Sequence, residues 1–159
     1  MSHSTRLPIR VLAAVSPEAF PFLSTALGAD FVLVFCASIS IARATRYDSV
    51  DVVIASINFD DGRLFDLLRL CKSSADAGRL PFLCVKCMEG ESEGATSEAV
   101  DIASKTLGGD GFVDLYRWMK HFGPDQSYEE LRNLVETLVQ YRQAEEKFRP
   151  ESGSRKLTN

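Results

Sequence analysis

DVVIASINFDDGRLFDLLRLC, residues 51–71, is the stretch that decides the architecture. Its opening, Val52 to Ile57, is rich in Val and Ile and, Ser56 apart, continuous rather than alternating in its apolar residues, which is how a strand covered on both faces reads. A loop with Asp61 and Gly62 follows. Leu64, Phe65, Leu67, Leu68 and Cys71 then form an apolar helix face that stops near Gly78. Similar apolar runs recur at residues 9–15, 31–37, 81–85 and 111–115, with helical signals between them. Five strands alternating with helices predict a parallel sheet with helices on both faces.

The first helix is expected to start at Ser16, with Pro17 in its first turn, and to end near Gly28. The second carries Ile39, Ile41, Ala42, Ala44 and Thr45 to about Tyr47. A polar stretch at 89–94, expected to be mobile, precedes a fourth helix over about 97–107, closed by Gly108 and Gly109. Ser127 and Glu130 match a reciprocal cap, so the last helix is expected to run from there to about Phe148. Leu131, Leu134, Leu138 and Tyr141 give it an apolar seam, and its distal part is free to project. The expected organisation is a flexible N-terminus at 1–8, a domain at 9–148 with an extended last helix, and a disordered tail at 149–159.

A chain of 159 residues, 45% hydrophobic, buries one core but not two. The formal charge of −4 and scattered Lys and Arg residues give no basic field, so nucleic acid is not an expected ligand. No apolar run reaches the roughly 20 residues that a membrane helix needs, and the N-terminus lacks the apolar centre of a secretory signal. A cytoplasmic location is expected. Cys36, Cys71, Cys84 and Cys87 fall in apolar or helical stretches and read as reduced core residues.

The order of these elements, with residues 51–71 at the centre, resembles the receiver domain of bacterial response regulators over about residues 9–142. Asp61-Gly62 and Leu67-Leu68 keep the frame that follows the family's third strand. Leu80-Pro81-Phe82-Leu83 resembles the family's Ile-Pro opening of the fourth strand. Gly108-Gly109-Asp110-Gly111-Phe112 resembles its Gly-Ala-Asp-Asp-Tyr approach to the fifth. The resemblance implies a flavodoxin-like, doubly wound sheet of order 2-1-3-4-5.

A receiver holds Mg²⁺ with two acids at the end of its first strand, because hard cations take carboxylate oxygens. Val15 and Ser16 stand there. The phosphoaccepting Asp aligns with Ser56, the hydroxyl residue of the fourth strand with Lys86, and the Lys of the fifth with Leu115. A shift of one residue sets Cys87 at the hydroxyl position but restores no acid. Metal ligands, nucleophile, hydroxyl and ammonium are lost together, which leaves no means of stabilising phosphoryl transfer. The pattern is that of a degenerate receiver that is not an enzyme and uses no cofactor.

Lys86 is expected either to pair with Asp60 or Asp61 or to reach solvent. Phe112 aligns with the family's switch aromatic and is either locked in one orientation or simply a core Phe. Tyr116, Arg117, Trp118, Met119 and Phe122 form an aromatic stretch with Arg and Met, the composition favoured at interface cores. By resemblance, the face of the fourth helix, fifth strand and fifth helix docks a histidine kinase or output protein, or forms a homodimer. Cys84-Val85-Lys86-Cys87 has the CxxC form of zinc and redox sites, but alternate strand residues face opposite ways. The competing reading is a flavodoxin-like domain that binds nucleotide or flavin at the carboxyl ends of the strands. Against it, Pro17 and Pro21 remove amide donors from the loop where phosphate would sit.

Overall fold

The computed structural model describes residues 6–90 and 97–148. The chain alternates β1 (Ile9–Ala14), α1 (Phe20–Leu27), β2 (Phe31–Cys36), α2 (Ile39–Ala44), β3 (Val52–Ser56), α3 (Leu64–Lys72), β4 (Phe82–Lys86), α4 (Ser97–Thr106), β5 (Phe112–Asp114) and α5 (Leu115–Phe148). All strands pair in parallel in the order β2-β1-β3-β4-β5. The expected strands each fall within a residue or two of place. The expected flexible N-terminus, mobile loop and disordered tail lie, apart from residues 6–8, 89 and 90, outside the described residues.

The period of two along each strand divides the core into two layers. Val11, Ala13, Val15, Val52 and Ile54 pack with Leu23, Leu27, Leu131 and Val135, on the side of α1 and α5. Leu12, Ala14, Val53 and Ala55 pack with Ile39, Leu64, Leu67, Leu68 and Val100, on the side of α2, α3 and α4. The continuous apolar runs of β1, β3 and β4 thus reflect strands covered on both faces.

Four helix boundaries differ from expectation. The third helix stops at Lys72 rather than near Gly78, its last turn closed by the Ser73 amide, which donates to the Arg69 carbonyl at 3.0 Å. The Ser16 carbonyl accepts from the Ala19 and Phe20 amides at 3.0 and 3.2 Å, so a turn comes first and α1 starts at Phe20, with Pro21 in its first turn. The second helix ends at Ala44, because residues 47–49 tighten into a 3-10 turn and the Tyr47 hydroxyl donates back to the Ala42 carbonyl at 2.9 Å. The largest departure is α5. Leu115 follows β5 directly into a helix, with the Asp114 carboxylate accepting from the Arg117 amide at 2.9 Å as an N-terminal cap. Gly123 breaks that helix at φ 81°, and Pro124 restarts it, since Pro costs no hydrogen bond at a first helical position. Ser127 therefore lies within the second arm, buried, and its hydroxyl has no hydrogen-bond partner among the described residues. The cap expected of Ser127 and Glu130 does not form.

The distal arm stays on the domain instead of projecting. Arg142 pairs with Asp110 at 3.5 Å, and Glu146 with Arg79 at 3.1 Å. Asp110 also accepts from the Phe82 amide at 2.8 Å, so the arm is tied to the loops that lead into β4 and β5.

Candidate functional site

The ligand position of a doubly wound sheet is the carboxyl end of its strands. There the ladders set Ala14 beside Ala55, Ser56 beside Val85, and Lys86 beside Asp114. Val15 and Ser16 continue from β1 and Leu115 from β5, so all five expected pocket residues lie at this end of the sheet. It is closed rather than concave. Val15 and Ser56 have 0% exposure and Leu115 1%, and Val15, Val85, Cys87 and Leu115 belong to one apolar cluster with Leu131 and Val135.

The polar groups near the apex serve the backbone. The Ser16 hydroxyl accepts from the Ala19 amide at 3.3 Å and so holds its own turn. The Ser56 hydroxyl has no hydrogen-bond partner among the described residues. After Ser56 the chain buries Phe59 completely in the α2–α3 layer, and the Phe59 carbonyl accepts from the Gly62 and Arg63 amides at 3.0 and 2.7 Å. Asp60 and Asp61 take φ of 47° and 56°, a left-handed conformation that Asp tolerates better than most residues. The Asp60 carboxylate accepts from the Ile39 amide at 2.9 Å and lies 3.9 Å from Arg63. A divalent cation needs several oxygen donors, and Val15, Ser16 and Ser56 offer no carboxylate among them. These residues do not fit Mg²⁺, and no cluster of His, Cys, Asp or Glu among the described residues fits a metal ion.

Lys86 makes no ion pair with Asp60 or Asp61. Its ammonium sits 5.5 Å from the centroid of the Tyr116 ring, and the Lys120 ammonium shares that ring at 5.1 Å. Two cations thus gather about one aromatic ring beside the apolar apex. The CxxC thiols diverge as strand alternation requires, Cys84 into the α2–α3 layer and Cys87 into the α1–α5 layer. Burial pushes the Cys84 thiol up to about 12, despite its hydrogen bond with Ser104, so at neutral pH it is no thiolate ligand.

The aromatic stretch divides by helical geometry. Arg117, Trp118 and Phe122 line an open depression with Phe112, Ser97, Glu98, Asp101 and His121. Phe122 is 54% exposed. Met119 packs inward on the α1–α5 layer, and Tyr116 turns to the two lysines. Trp118 also leans on that layer, which fixes its ring beside the depression. Asp114, unremarked in the sequence, organises this face. One oxygen caps the helix at Arg117, and the other accepts from the Ser97 hydroxyl at 2.9 Å, joining α4 to β5. The available signal was an Asp three residues before Arg117 at the end of an apolar strand.

No protein-family model matches the chain, and no curated protein matches it. Solved structures do. A chain from Chloroflexus aurantiacus J-10-fl, provisionally assigned as a response regulator, superposes with a TM-score of 0.60 at 19% identity, over 80% of this chain and 98% of its own. The phosphorylated cyanobacterial phytochrome response regulator RcpA gives 0.54 at 17%, over 83% and 94%. The chemotaxis response regulator CheY4 of Vibrio cholerae gives 0.53 at 18%, over 79% and 98%. At these identities the likeness is one of fold: this chain has the flavodoxin-like, 2-1-3-4-5 architecture of response-regulator receiver domains.

Proposed function

We propose that the chain is a signalling module that works by binding protein, independently of aspartyl phosphorylation and without catalysis of its own. The observation that carries this reading is the closed apex, where Val15, Ser56 and Leu115 are buried at the positions that the resemblance assigns to metal ligand, nucleophile and ammonium. A phosphoryl group there would find neither an acceptor carboxylate nor a charge to stabilise its transfer. Nucleotide and flavin fare no better, because the Ala19 and Phe20 amides are already bonded to Ser16 and two prolines flank them.

The docking face in this reading is the depression between α4, β5 and the first arm of α5, with Trp118 and Phe122 as apolar anchors and Arg117 as the polar one. A histidine kinase or an output protein is the expected partner. Residues of these three types carry a large share of binding energy at protein interfaces. The test is co-purification from native cells with the wild type and with Arg117→Ala/Trp118→Ala, with and without acetyl phosphate and Mg²⁺. Partners are expected to be lost about ten-fold or more with the double variant and to be indifferent to the phosphodonor. Equal recovery by both proteins contradicts the face, and recovery that requires the phosphodonor contradicts the independence.

A further inference from the structure

The sheet has a second exposed edge, opposite β5. Among the described residues β2 pairs only with β1, and it is apolar at every position, Phe-Val-Leu-Val-Phe-Cys. Val32 is 47% exposed, Val34 51% and Phe35 39%. For Val32 and Val34 the cause lies in helix length. At about 1.5 Å per residue, the six residues of α2 span roughly 9 Å, whereas six strand residues span roughly 20 Å. Val32 and Val34 lie on the α2 side and outrun their cover. Soluble domains commonly guard such an edge with Lys, Pro or a bulge. Here Asp30 is the one charged residue from Ala29 through Ala42.

The phase of the ladder fixes which backbone groups face outward. Ile9 partners Phe31, and its amide donates to the Asp30 carbonyl at 3.1 Å. In a parallel pair a residue bonds the two residues flanking its partner, so Asp30, Val32 and Val34 turn their groups to β1. Phe31, Leu33 and Phe35 turn theirs away from it. The Phe31 amide meets the Gly28 carbonyl at 3.3 Å, which leaves its own carbonyl to accept.

We propose that two copies of the chain pair β2 to β2, antiparallel about a two-fold axis at Leu33, making one continuous sheet. In this register Leu33 exchanges both bonds with Leu33 of the second copy, and the Phe35 amide donates to the Phe31 carbonyl of the second copy, with the reciprocal bond repeated. Val32 then meets Val34 of the second copy on one face, and Phe35 meets Phe31 on the other. Each exposed apolar side chain of the strand finds an apolar partner. A shift by one residue sets outward groups against inward ones, and a shift by two leaves an outward residue of each strand unpaired. A second copy is the occupant because the strand matches itself in hydrogen-bond phase, in apolarity on both faces, and in freedom from like charges across the axis. The pairing leaves the α4–β5–α5 face open at the far edge, and it does not depend on what that face binds.

Sedimentation equilibrium on the wild type and on Val34→Lys, with concentration-dependent amide exchange on the wild type, tests this. A wild-type mass twice that of the chain is expected, halved by Val34→Lys. The Leu33 and Phe35 amides should slow as concentration rises, while those of Val32 and Val34 stay protected throughout. A wild type that is monomeric at every concentration overturns the proposal, as does a dimer that survives Val34→Lys. If the variant does not fold, the exchange pattern decides: Leu33 and Phe35 amides that remain open in a dimer place its interface elsewhere.

Discussion

Ser56→Asp is expected to cost the fold about 3 kcal/mol or more at neutral pH and to leave the chain unable to accept phosphate. The residue has no exposed surface and no hydrogen-bond partner among the described residues, and it lies beside Val85 in the ladder. A carboxylate there loses its water and gains no donor. Burial raises the folded-state pKa of such an acid above its unfolded value, so the folded chain holds the proton more tightly. The deficit is then smallest below about pH 4 and grows as pH rises, the reverse of a salt-bridged carboxylate. Urea unfolding at several pH values measures it. Ser56→Ala is the control: it removes an unpartnered hydroxyl and should stay within about 1 kcal/mol of the wild type, on the stable side. A Ser56→Asp protein as stable as the wild type and labelled by a phosphodonor would mean that the apex is open.

Phe59→Ala should cost about 3–5 kcal/mol, seen as a lower urea midpoint at unchanged slope. Phe59 is among the largest side chains with no exposure, and it enters the core from a loop rather than from a helix or strand. It therefore pins the turn at Asp60 and Asp61, whose left-handed backbone is unfavourable without such an anchor. Removing the ring should also speed amide exchange from residues 60–63, where the Gly62 and Arg63 amides bond the Phe59 carbonyl. A loss below about 1 kcal/mol would show that the loop is held by the Asp60 contact to Ile39 instead.

The strands were legible because a sheet covered on both faces writes itself as short runs rich in Val, Ile and Leu rather than alternating, and residues 52–57 are such a run with Ser56 its one polar residue. What those runs do not carry is coverage. Nothing in Phe31 to Cys36 marks β2 as an exposed edge, since that follows from the strand order, and for Val32 and Val34 from the short α2, both relations between elements. The last helix was misjudged for a related reason. Ser127 and Glu130 have cap spacing, but Gly123-Pro124 is the stronger break, and packing then buries Ser127 inside the arm.

At the apex, Val15, Ser16 and Ser56 are set at acidic positions by the resemblance alone, and Val15 and Leu115 are buried as their apolar types suggest. The partner of Lys86 could not be read that way. Its choice of Tyr116 over Asp60 depends on where the Asp60 turn points and on a helix that begins immediately after β5. Arg117, Trp118 and Phe122 were legible as a group by composition, whereas the inward turn of Met119 needed the helix phase to be known.

The central claim is that the apex neither binds a divalent cation nor accepts phosphorus. Incubation of the purified chain with radiolabelled acetyl phosphate and Mg²⁺, followed by gel autoradiography, addresses it directly. No incorporation above a denatured control, and no Mg²⁺-dependent shift of amide resonances at Val15, Ser56 or Lys86, is the result expected. Stoichiometric, Mg²⁺-dependent label that hydroxylamine removes, as it does an acyl phosphate, would contradict the account.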